Sequence, residues 1–148
     1  MTITSPSFQN NDYIPKKFSC EAENINPELH IQNVPENTKS LALIMHDPDA
    51  PMPGGFTHWL IWNIDPKTEV IKENSVPAGA TQGKISNGKP GYTGPCPPPG
   101  HGVHHYHFKL YALTAVLDLP ASANKTDLES EIQKQLIAEA ELIGLYAR

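Results

Sequence analysis

The sequence is poor in basic residues, in cysteine and in long apolar runs, and each shortage argues against a class of protein. Its 148 residues hold 11 Lys and Arg against 16 Asp and Glu, which gives a net charge of -5. Nucleic-acid-binding domains usually carry a basic surface, so that class is disfavoured. No run of about 18 apolar residues is present, so no transmembrane segment is expected. A chain of this length is predicted to form one domain, residues 1–148.

The N-terminus and the cysteines point to a cytoplasmic protein. Residues 1–15, MTITSPSFQNNDYIP, lack the positive start and the apolar stretch of a signal peptide. Only two cysteines, Cys20 and Cys96, are present, and they do not make a disulfide framework for a domain of this size. In a reducing cytosol both are expected to be free thiols, although they would pair if the fold brought them together.

Proline and glycine are plentiful, with 15 and 10 residues spread along the chain. Turn residues at such frequency between short apolar runs are typical of β-strands joined by turns. The continuous apolar runs 41–46, LALIMH, and 58–64, HWLIWNI, predict strands covered on both faces. In 103–113, VHHYHFKLYAL, alternate residues share a face, so His104 and Tyr106 are predicted to lie on the apolar side.

The C-terminal region predicts the only helix. Residues 126–129, Thr-Asp-Leu-Glu, fit a capping box in which Thr126 caps the helix and Glu129 reaches back. Gly144 is expected to end it. Between these limits an apolar stripe runs at helical spacing: Leu128, Ile132, Leu136, Ala140 and Ile143. The residues therefore predict a mostly β protein with one C-terminal helix, and an ordered, functional Gly/Pro-rich loop over 72–102.

Several polar residues stand beside the apolar strands and are candidates for a binding site. Asp47 and Asp49 follow the first strand within DPDAP (47–51), and His58 begins the second. Each has an ordinary structural explanation, because Asp-Pro opens turns and a histidine at a strand end often only satisfies its neighbours. An imidazole and a phenol on the inward face of the third strand nevertheless need polar partners. Asp47, His58 and His104 would satisfy one another if their strands adjoin, which would make an anion site.

Metal, cofactor and nucleophile sites are not predicted. His105 and His107 lie on the opposite face from His104, so a compact three-histidine metal site is not expected. No GxSxG or similar motif supports a catalytic nucleophile, and nothing near Cys96 indicates an activated thiolate. The glycine-rich stretch 88–94, GKPGYTG, lacks the pattern of a phosphate loop.

Three separated stretches together resemble the phosphatidylethanolamine-binding proteins, also called Raf kinase inhibitor-like proteins. They are DPDAP (47–51), FTHWLIWNI (56–64) and GPCPPPGHGVHHYHFKLYAL (94–113), in the order and spacing of that family. The chain is similar to the short bacterial and archaeal branch. The resemblance implies a β-sandwich with a large central antiparallel sheet and a smaller second sheet, to which the predicted C-terminal helix is added.

The resemblance also implies a function: a non-enzymatic binding or regulatory protein with a small anion pocket. Its ligands would be phosphate, phosphoethanolamine-type headgroups, acetate-like anions or phosphorylated groups, and a protein kinase or protease would be a possible partner. The alternative is a small hydrolase-like enzyme that uses the His/Asp pocket for acid–base chemistry. Carried over position by position, the ligand-binding residues are Asp47, Pro51, Phe56, His58, Pro98, His104 and Tyr106.

Several details of the pocket follow as expectations. The proline run before the histidines should form a rigid wall. Asp47 should lie within hydrogen-bond reach of His58 or His104, and binding should strengthen as pH falls through the histidine range. A cis peptide is expected before Pro51.

His105 departs from the family pattern GxHR, in which an arginine is thought to form a salt bridge with the first motif. Asp49 is the expected partner of that arginine in this chain. An imidazole cannot form the bidentate fork of a guanidinium, which puts the link in question. The face of the strand that carries His105, His107 and Lys109 suits a partly wet surface, and short-branch members resemble homodimers. The sequence therefore predicts a symmetric dimer near the pocket mouth.

Overall fold

In a computed structural model the chain, described over all residues 1–148, folds into nine strands and one α-helix. The strands are β1 (Thr2–Thr4), β2 (Asp12–Tyr13), β3 (Leu29–Gln32), β4 (Ser40–Asp47), β5 (Phe56–Ile64), β6 (Val70–Ile71), β7 (Thr81–Gln82), β8 (His104–Leu113) and β9 (Leu136–Tyr146). The helix α1 spans Lys125–Gln135, and a short 3-10 helix spans Lys16–Phe18. No helix is both long enough and apolar enough to cross a membrane.

The strands form two sheets of unequal size. The large sheet has six strands in the order β2-β9-β8-β4-β5-β7, and the small sheet has three in the order β1-β3-β6. Every neighbouring pair is antiparallel except β2 and β9, which run parallel. This arrangement confirms the predicted large antiparallel sheet with a smaller second sheet.

Two apolar layers cover the central strands, one on each face of the large sheet. The first contains buried side chains of both sheets, among them Ile3, Ile31, Met45, Trp59 and Phe108, and therefore fills the space between the sheets. The second lies under α1 and is formed by Ala42, Ile44, Leu60, Trp62, Tyr111, Leu113, Leu117, Ala123, Leu128 and Ile132, with Ile85 beside them. Strands β4 and β5 are thus buried on both faces, as their continuous apolar runs predict.

The helix begins and ends at different residues from those predicted. Asn124, not Thr126, is its N-cap: the Asn124 side chain accepts from the Asp127 amide at 3.0 Å, and the Asp127 carboxylate accepts from the Asn124 amide at 3.0 Å. The helix stops at Gln135, and the chain continues directly into β9. The predicted helical stripe is therefore wrong beyond Ile132.

Strand β9 forms because β8 offers it a long edge to pair with. The two strands form an antiparallel ladder from His104 opposite Tyr146 to Leu113 opposite Leu136. Gly144, predicted as a helix stop, lies within this ladder opposite Tyr106. A Cβ atom at Gly144 would run into the Ile14 side chain, so this glycine permits close packing and ends no helix.

The two cysteines form a disulfide, with their Cα atoms 5.5 Å apart. The expectation of free thiols is therefore wrong. Cys20 directly follows the short 3-10 helix and its neighbour Ser19, and Cys96 lies in the proline-rich loop before β8. The Cys20 amide also donates to the Pro95 carbonyl at 3.1 Å, so the bond and the disulfide together hold this loop against the sheet.

Candidate functional site

One end of the large sheet carries a cavity of about 230 Å³, which we call the Asp47 pocket. It is lined by thirteen residues: Asp47, Ala50, Pro51, Met52, Phe56, His58, Thr93, Gly94, Cys96, Pro97, Pro98, His104 and Tyr106. All seven residues that the resemblance carries over lie among them. The fold therefore brings the three motifs to one place.

The topology of the sheet explains this convergence. Strand β4 lies between β5 and β8, and both neighbours run antiparallel to it. The C-terminal end of β4 therefore lies beside the start of β5 and the start of β8. Asp47 ends β4 and pairs with Phe56, while His104 and Tyr106 stand at the beginning of β8. The residues that end or begin these strands must point into a common space.

A buried carboxylate–imidazole pair forms the floor of the pocket. The Nδ1 atom of His104 lies 2.7 Å from Oδ2 of Asp47, and the two side chains are only 2% and 3% exposed. The other carboxylate oxygen, Oδ1, accepts from the Asp49 amide at 2.8 Å. Asp47 thus lies within reach of His104, as predicted, and fixes the imidazole so that Nδ1 carries a proton.

His101 covers the remaining nitrogen of His104, a contact that the sequence did not predict. Its Nδ1 atom lies 2.6 Å from Nε2 of His104. The loop can turn back in this way because Gly100 and Gly102 adopt positive φ angles of 77° and 95°. Since His104 Nδ1 already donates to Asp47, a single proton lies between the two rings. The only hint in the sequence was the closeness of the histidines to one another.

His58 donates its ring proton to a backbone carbonyl and presents an acceptor nitrogen to the pocket. Its Nδ1 atom lies 2.7 Å from the Thr93 carbonyl, which can only accept, so Nδ1 carries the proton. In the neutral ring Nε2 is therefore an acceptor. Burial lowers the pKa of His58 to about 4, so the neutral ring is the form present near pH 7. The ring packs beside Phe56 and Tyr106, with centroid separations of 4.7 Å and 5.2 Å.

The Tyr106 hydroxyl is buried and makes no well-formed hydrogen bond within the protein, although the Asp47 carboxylate and the Cys96 backbone lie near it. Burial, together with the nearby charge of Asp47, raises the pKa of Tyr106. The phenol therefore keeps its proton and is available as a donor on the cavity wall. Buried hydroxyl groups in folded proteins are nearly always paired, so an unpaired one beside a cavity is an unusual feature.

The proline-rich wall is restrained at several points. The disulfide holds Cys96 from one side. From the other side Arg148 donates from Nε to the Pro97 carbonyl at 2.7 Å, and its own carbonyl accepts from the Gly100 amide at 3.0 Å. The sequence showed the prolines but neither of these restraints.

The link between the first motif and the third persists although histidine replaces arginine. Oδ2 of Asp49 accepts from both the backbone amide and Nδ1 of His105, each at 2.8 Å. Burial opposes ionisation of Asp49, but these hydrogen bonds outweigh it and hold the pKa of Asp49 below its usual range. The backbone amide thus supplies the second donor that the imidazole lacks. The peptide before Pro51 is trans, so the expected cis bond is wrong.

Comparison with known proteins identifies the family to which the chain is related. The family model for phosphatidylethanolamine-binding proteins matches residues 4–147. The UPF0098 protein of Pyrococcus horikoshii is 49% identical over 150 residues, which cover 97% of this chain and 75% of that protein.

Two solved structures share the fold over nearly their whole length. A phosphatidylethanolamine-binding protein homologue of Chlamydia trachomatis is 37% identical with a TM-score of 0.93, covering 99% of this chain and 97% of that one. YbcL of Escherichia coli is 30% identical with a TM-score of 0.94, covering 99% and 98%. The chain therefore belongs to the phosphatidylethanolamine-binding protein family.

Proposed function

We propose that this chain is a non-enzymatic binding or regulatory protein whose Asp47 pocket holds a small oxyanion. Suitable ligands are phosphate, a phosphoethanolamine-type headgroup, an acetate-like anion or a phosphorylated group. The observation that carries the proposal is the Tyr106 hydroxyl, buried on the cavity wall without a partner. Leaving such a group unpaired costs roughly 1–3 kcal/mol, and a ligand oxygen at this point would remove that cost.

The size of the pocket supports a small ligand or the end of a larger one. At about 230 Å³ it is below the roughly 300–1,000 Å³ of sites that enclose drug-sized molecules. Apolar side chains such as Pro51, Met52 and Phe56 surround the few polar groups. Such a wall adds apolar contact surface around a bound oxyanion, while the few polar groups fix its position.

Calorimetric titration with inorganic phosphate and phosphoethanolamine tests the proposal. Tyr106→Phe removes only the hydroxyl and should weaken binding roughly tenfold, because it removes a hydrogen bond made in a dry site. Tyr111→Phe is the matched control, since Tyr111 lies on the same strand but is buried under α1, away from the pocket. Absence of binding to the wild type would refute the proposal. Equal loss in both variants would show that the Tyr106 hydroxyl has no special part in it.

The second candidate function, an acid–base hydrolase, has one observation in its favour. The chain Asp47–His104–His101 has the geometry of a relay that ends at an exposed imidazole. It has no adjacent thiolate, because Cys96 is held in the disulfide. Turnover of p-nitrophenyl phosphate or p-nitrophenyl acetate that disappears in His104→Gln would favour the enzyme. Binding without turnover would favour the binding protein.

The disulfide bears on where the protein works. Disulfides persist in oxidising compartments and are rare in the cytosol. We therefore propose an oxidising compartment in place of the predicted cytoplasm. Alkylation of free thiols during extraction from the native cell, followed by mass measurement, decides between the two. Unmodified Cys20 and Cys96 support an oxidising compartment, and two alkylated cysteines support the cytoplasm.

A homodimer and a kinase or protease partner remain proposals drawn from the family resemblance. The outward side of β8, which we call the outer face, is defined by His105, His107 and Lys109. His107 and Lys109 both lie near Glu141 of β9, at 3.1 Å and 3.9 Å, and the helix covers Tyr111 farther along. The outer face is therefore open to another chain from His105 to Lys109, and α1 closes it at Tyr111.

A further inference from the structure

The Asp47 pocket presents a carboxylate and an acceptor imidazole nitrogen to its ligand, which is unusual for a site expected to hold an anion. None of its thirteen lining residues is a lysine or an arginine. It holds instead a buried carboxylate, that of Asp47, and the acceptor nitrogen Nε2 of His58. The buried side-chain donor without a partner is the Tyr106 hydroxyl. A bare dianion would therefore be placed beside a carboxylate and the lone pair of His58 Nε2.

His58 cannot readily become a donor. Its Nδ1 proton is committed to the Thr93 carbonyl, so Nε2 donates only if the whole ring becomes a cation. Desolvation opposes that cation, and His46 on β4 disfavours it further, while the charge of Asp47 favours it less than burial opposes it. The remaining groups packed on the ring are the uncharged Phe56 and the protonated Tyr106.

His104 does not supply the missing donor either. Its Nδ1 proton is committed to Asp47, and its Nε2 edge shares a single proton with His101. A ligand reaches a donor there only by displacing His101 from its 2.6 Å contact. The pocket as folded therefore needs a ligand that brings a proton to His58.

We infer that the Asp47 pocket selects an oxyacid that retains one proton, the monoanion of a phosphate monoester being the class that fits. Its P–OH group donates to Nε2 of His58, and an unprotonated phosphate oxygen accepts from the Tyr106 hydroxyl. This inference rests on the proposed function and restricts the class of oxyanion that the pocket binds. A phosphate dianion lacks the proton and adds charge beside Asp47. A phosphodiester carries the single charge but has no proton to give.

The expected pH dependence keeps the sign predicted from the sequence but changes its origin. Binding strengthens on acidification because the ligand gains its proton, whereas His58 stays neutral over the same range. With a second phosphate pKa of about 6, the protonated fraction falls from roughly nine-tenths at pH 5 to about one-hundredth at pH 8. The dissociation constant of a monoester should therefore rise about 90-fold between these pH values.

Two isomeric ligands give a direct test on the wild-type protein. Ethyl phosphate and dimethyl phosphate have the same atoms and, at pH 5, the same single charge, but only ethyl phosphate then carries a P–OH group. The first represents a phosphorylated small molecule and the second the phosphodiester of a lipid headgroup. Calorimetry at pH 5 should show ethyl phosphate binding roughly tenfold or more tightly, because only it satisfies His58. Because only the monoester weakens by about 90-fold up to pH 8, a tenfold preference should be reversed there in favour of dimethyl phosphate.

The two isomers and inorganic phosphate distinguish failure of this inference from failure of the proposed function. Titration of the protein itself affects both isomers, so the ratio of their dissociation constants reports the ligand proton alone. Tyr106→Phe should weaken both isomers by a similar factor and leave this ratio unchanged at pH 5. Equal binding of the isomers to the wild type at pH 5 would overturn the inference while leaving oxyanion binding intact. Absence of binding by inorganic phosphate and by both isomers would instead refute the proposed function.

Discussion

Lowering the pH should destabilise this protein through His58, and a substitution at that position should remove the effect. His58 has a pKa near 6.5 in an unfolded chain and about 4 in the folded protein, where burial disfavours the charged ring. At pH values between these two pKa values, His58 is protonated in the unfolded state but remains neutral in the folded state. The free energy of unfolding therefore rises with pH across this window and falls on acidification.

The magnitude follows from the shift. Each pKa unit corresponds to 1.36 kcal/mol, so a shift from 6.5 to about 4 makes His58 cost roughly 3 kcal/mol of stability once the pH is below 4. Most of this is lost in the upper part of the window, because the unfolded ring is already largely charged at pH 5. Integration between pH 7 and pH 5 gives a loss of about 2 kcal/mol from this one residue.

Guanidinium denaturation of the wild type and of His58→Asn at pH 7 and pH 5 measures this loss. Asparagine keeps an amide donor near the Thr93 carbonyl but cannot titrate, and the other ionisable groups are common to both proteins. Whatever the variant loses at pH 7, the difference in unfolding free energy between wild type and variant should shift against the wild type by about 2 kcal/mol at pH 5. Parallel pH profiles would refute the assignment of His58 as a buried neutral imidazole.

Four further outcomes are expected. Replacing Cys20 and Cys96 together by serine should lower the free energy of unfolding by about 4 kcal/mol, because the disulfide closes a loop with a sequence separation of 76; a loss below about 1 kcal/mol in denaturant would contradict this. Gly144→Ala should cost roughly 1–3 kcal/mol in the same assay, because its Cβ would collide with Ile14, and an unchanged midpoint would show that β9 can shift aside. Light scattering should give about twice the 16.3 kDa chain mass, with an interface burying roughly 1,200 Å² or more, and a clean monomer at tens of micromolar would exclude the dimer. Elemental analysis of purified protein should find far less than one zinc per chain, and stoichiometric zinc would contradict the expected absence of a metal site.

The strands of the large sheet were predictable because the local pattern of apolar residues indicates which strands are buried. Runs 41–45 and 59–62 are apolar at every position, and their short length between turn residues favours strands covered on both faces. Along β8 the alternation separates the buried His104 from the exposed His105. These strands also carry Asp47, His58, His104 and Tyr106, so the pattern placed these four side chains close together, whereas Pro51, Phe56 and Pro98 followed only from the family resemblance.

The end of the helix was not predictable in the same way, since the local pattern supports two structures. Leu136, Ala140 and Ile143 continue the helical spacing of Leu128 and Ile132, but residues 138–142, Ala-Glu-Ala-Glu-Leu, also alternate with period two. The unpaired edge of β8 decides between them, because a ten-residue ladder pairs the backbone groups on the facing edges of β8 and β9. That edge exists only in the assembled sheet.

The disulfide and the role of His101 depend on geometry that no local pattern contains. Cys20 meets Cys96 because the proline-rich loop folds back onto the 3-10 helix, and His101 meets His104 because two glycines allow the loop to reverse. Residue type alone favoured free thiols and gave His101 no part. In this chain, the contacts that join two irregular segments could not be predicted from the sequence.

The two inward histidines show why residue identity did not settle the chemistry of the pocket. His58 and His104 are both almost fully buried and both line the same cavity. Nδ1 of His104 meets a side-chain carboxylate, that of Asp47. Nδ1 of His58 meets the backbone carbonyl of Thr93, which fixes the tautomer without supplying charge. The acceptor at His58 Nε2 thus originates in a main-chain oxygen of the loop, and any residue at position 93 would present the same carbonyl. If the pocket does require a protonated oxyacid, that requirement is set by the path of the loop after β7 and not by the side chains that the family pattern names.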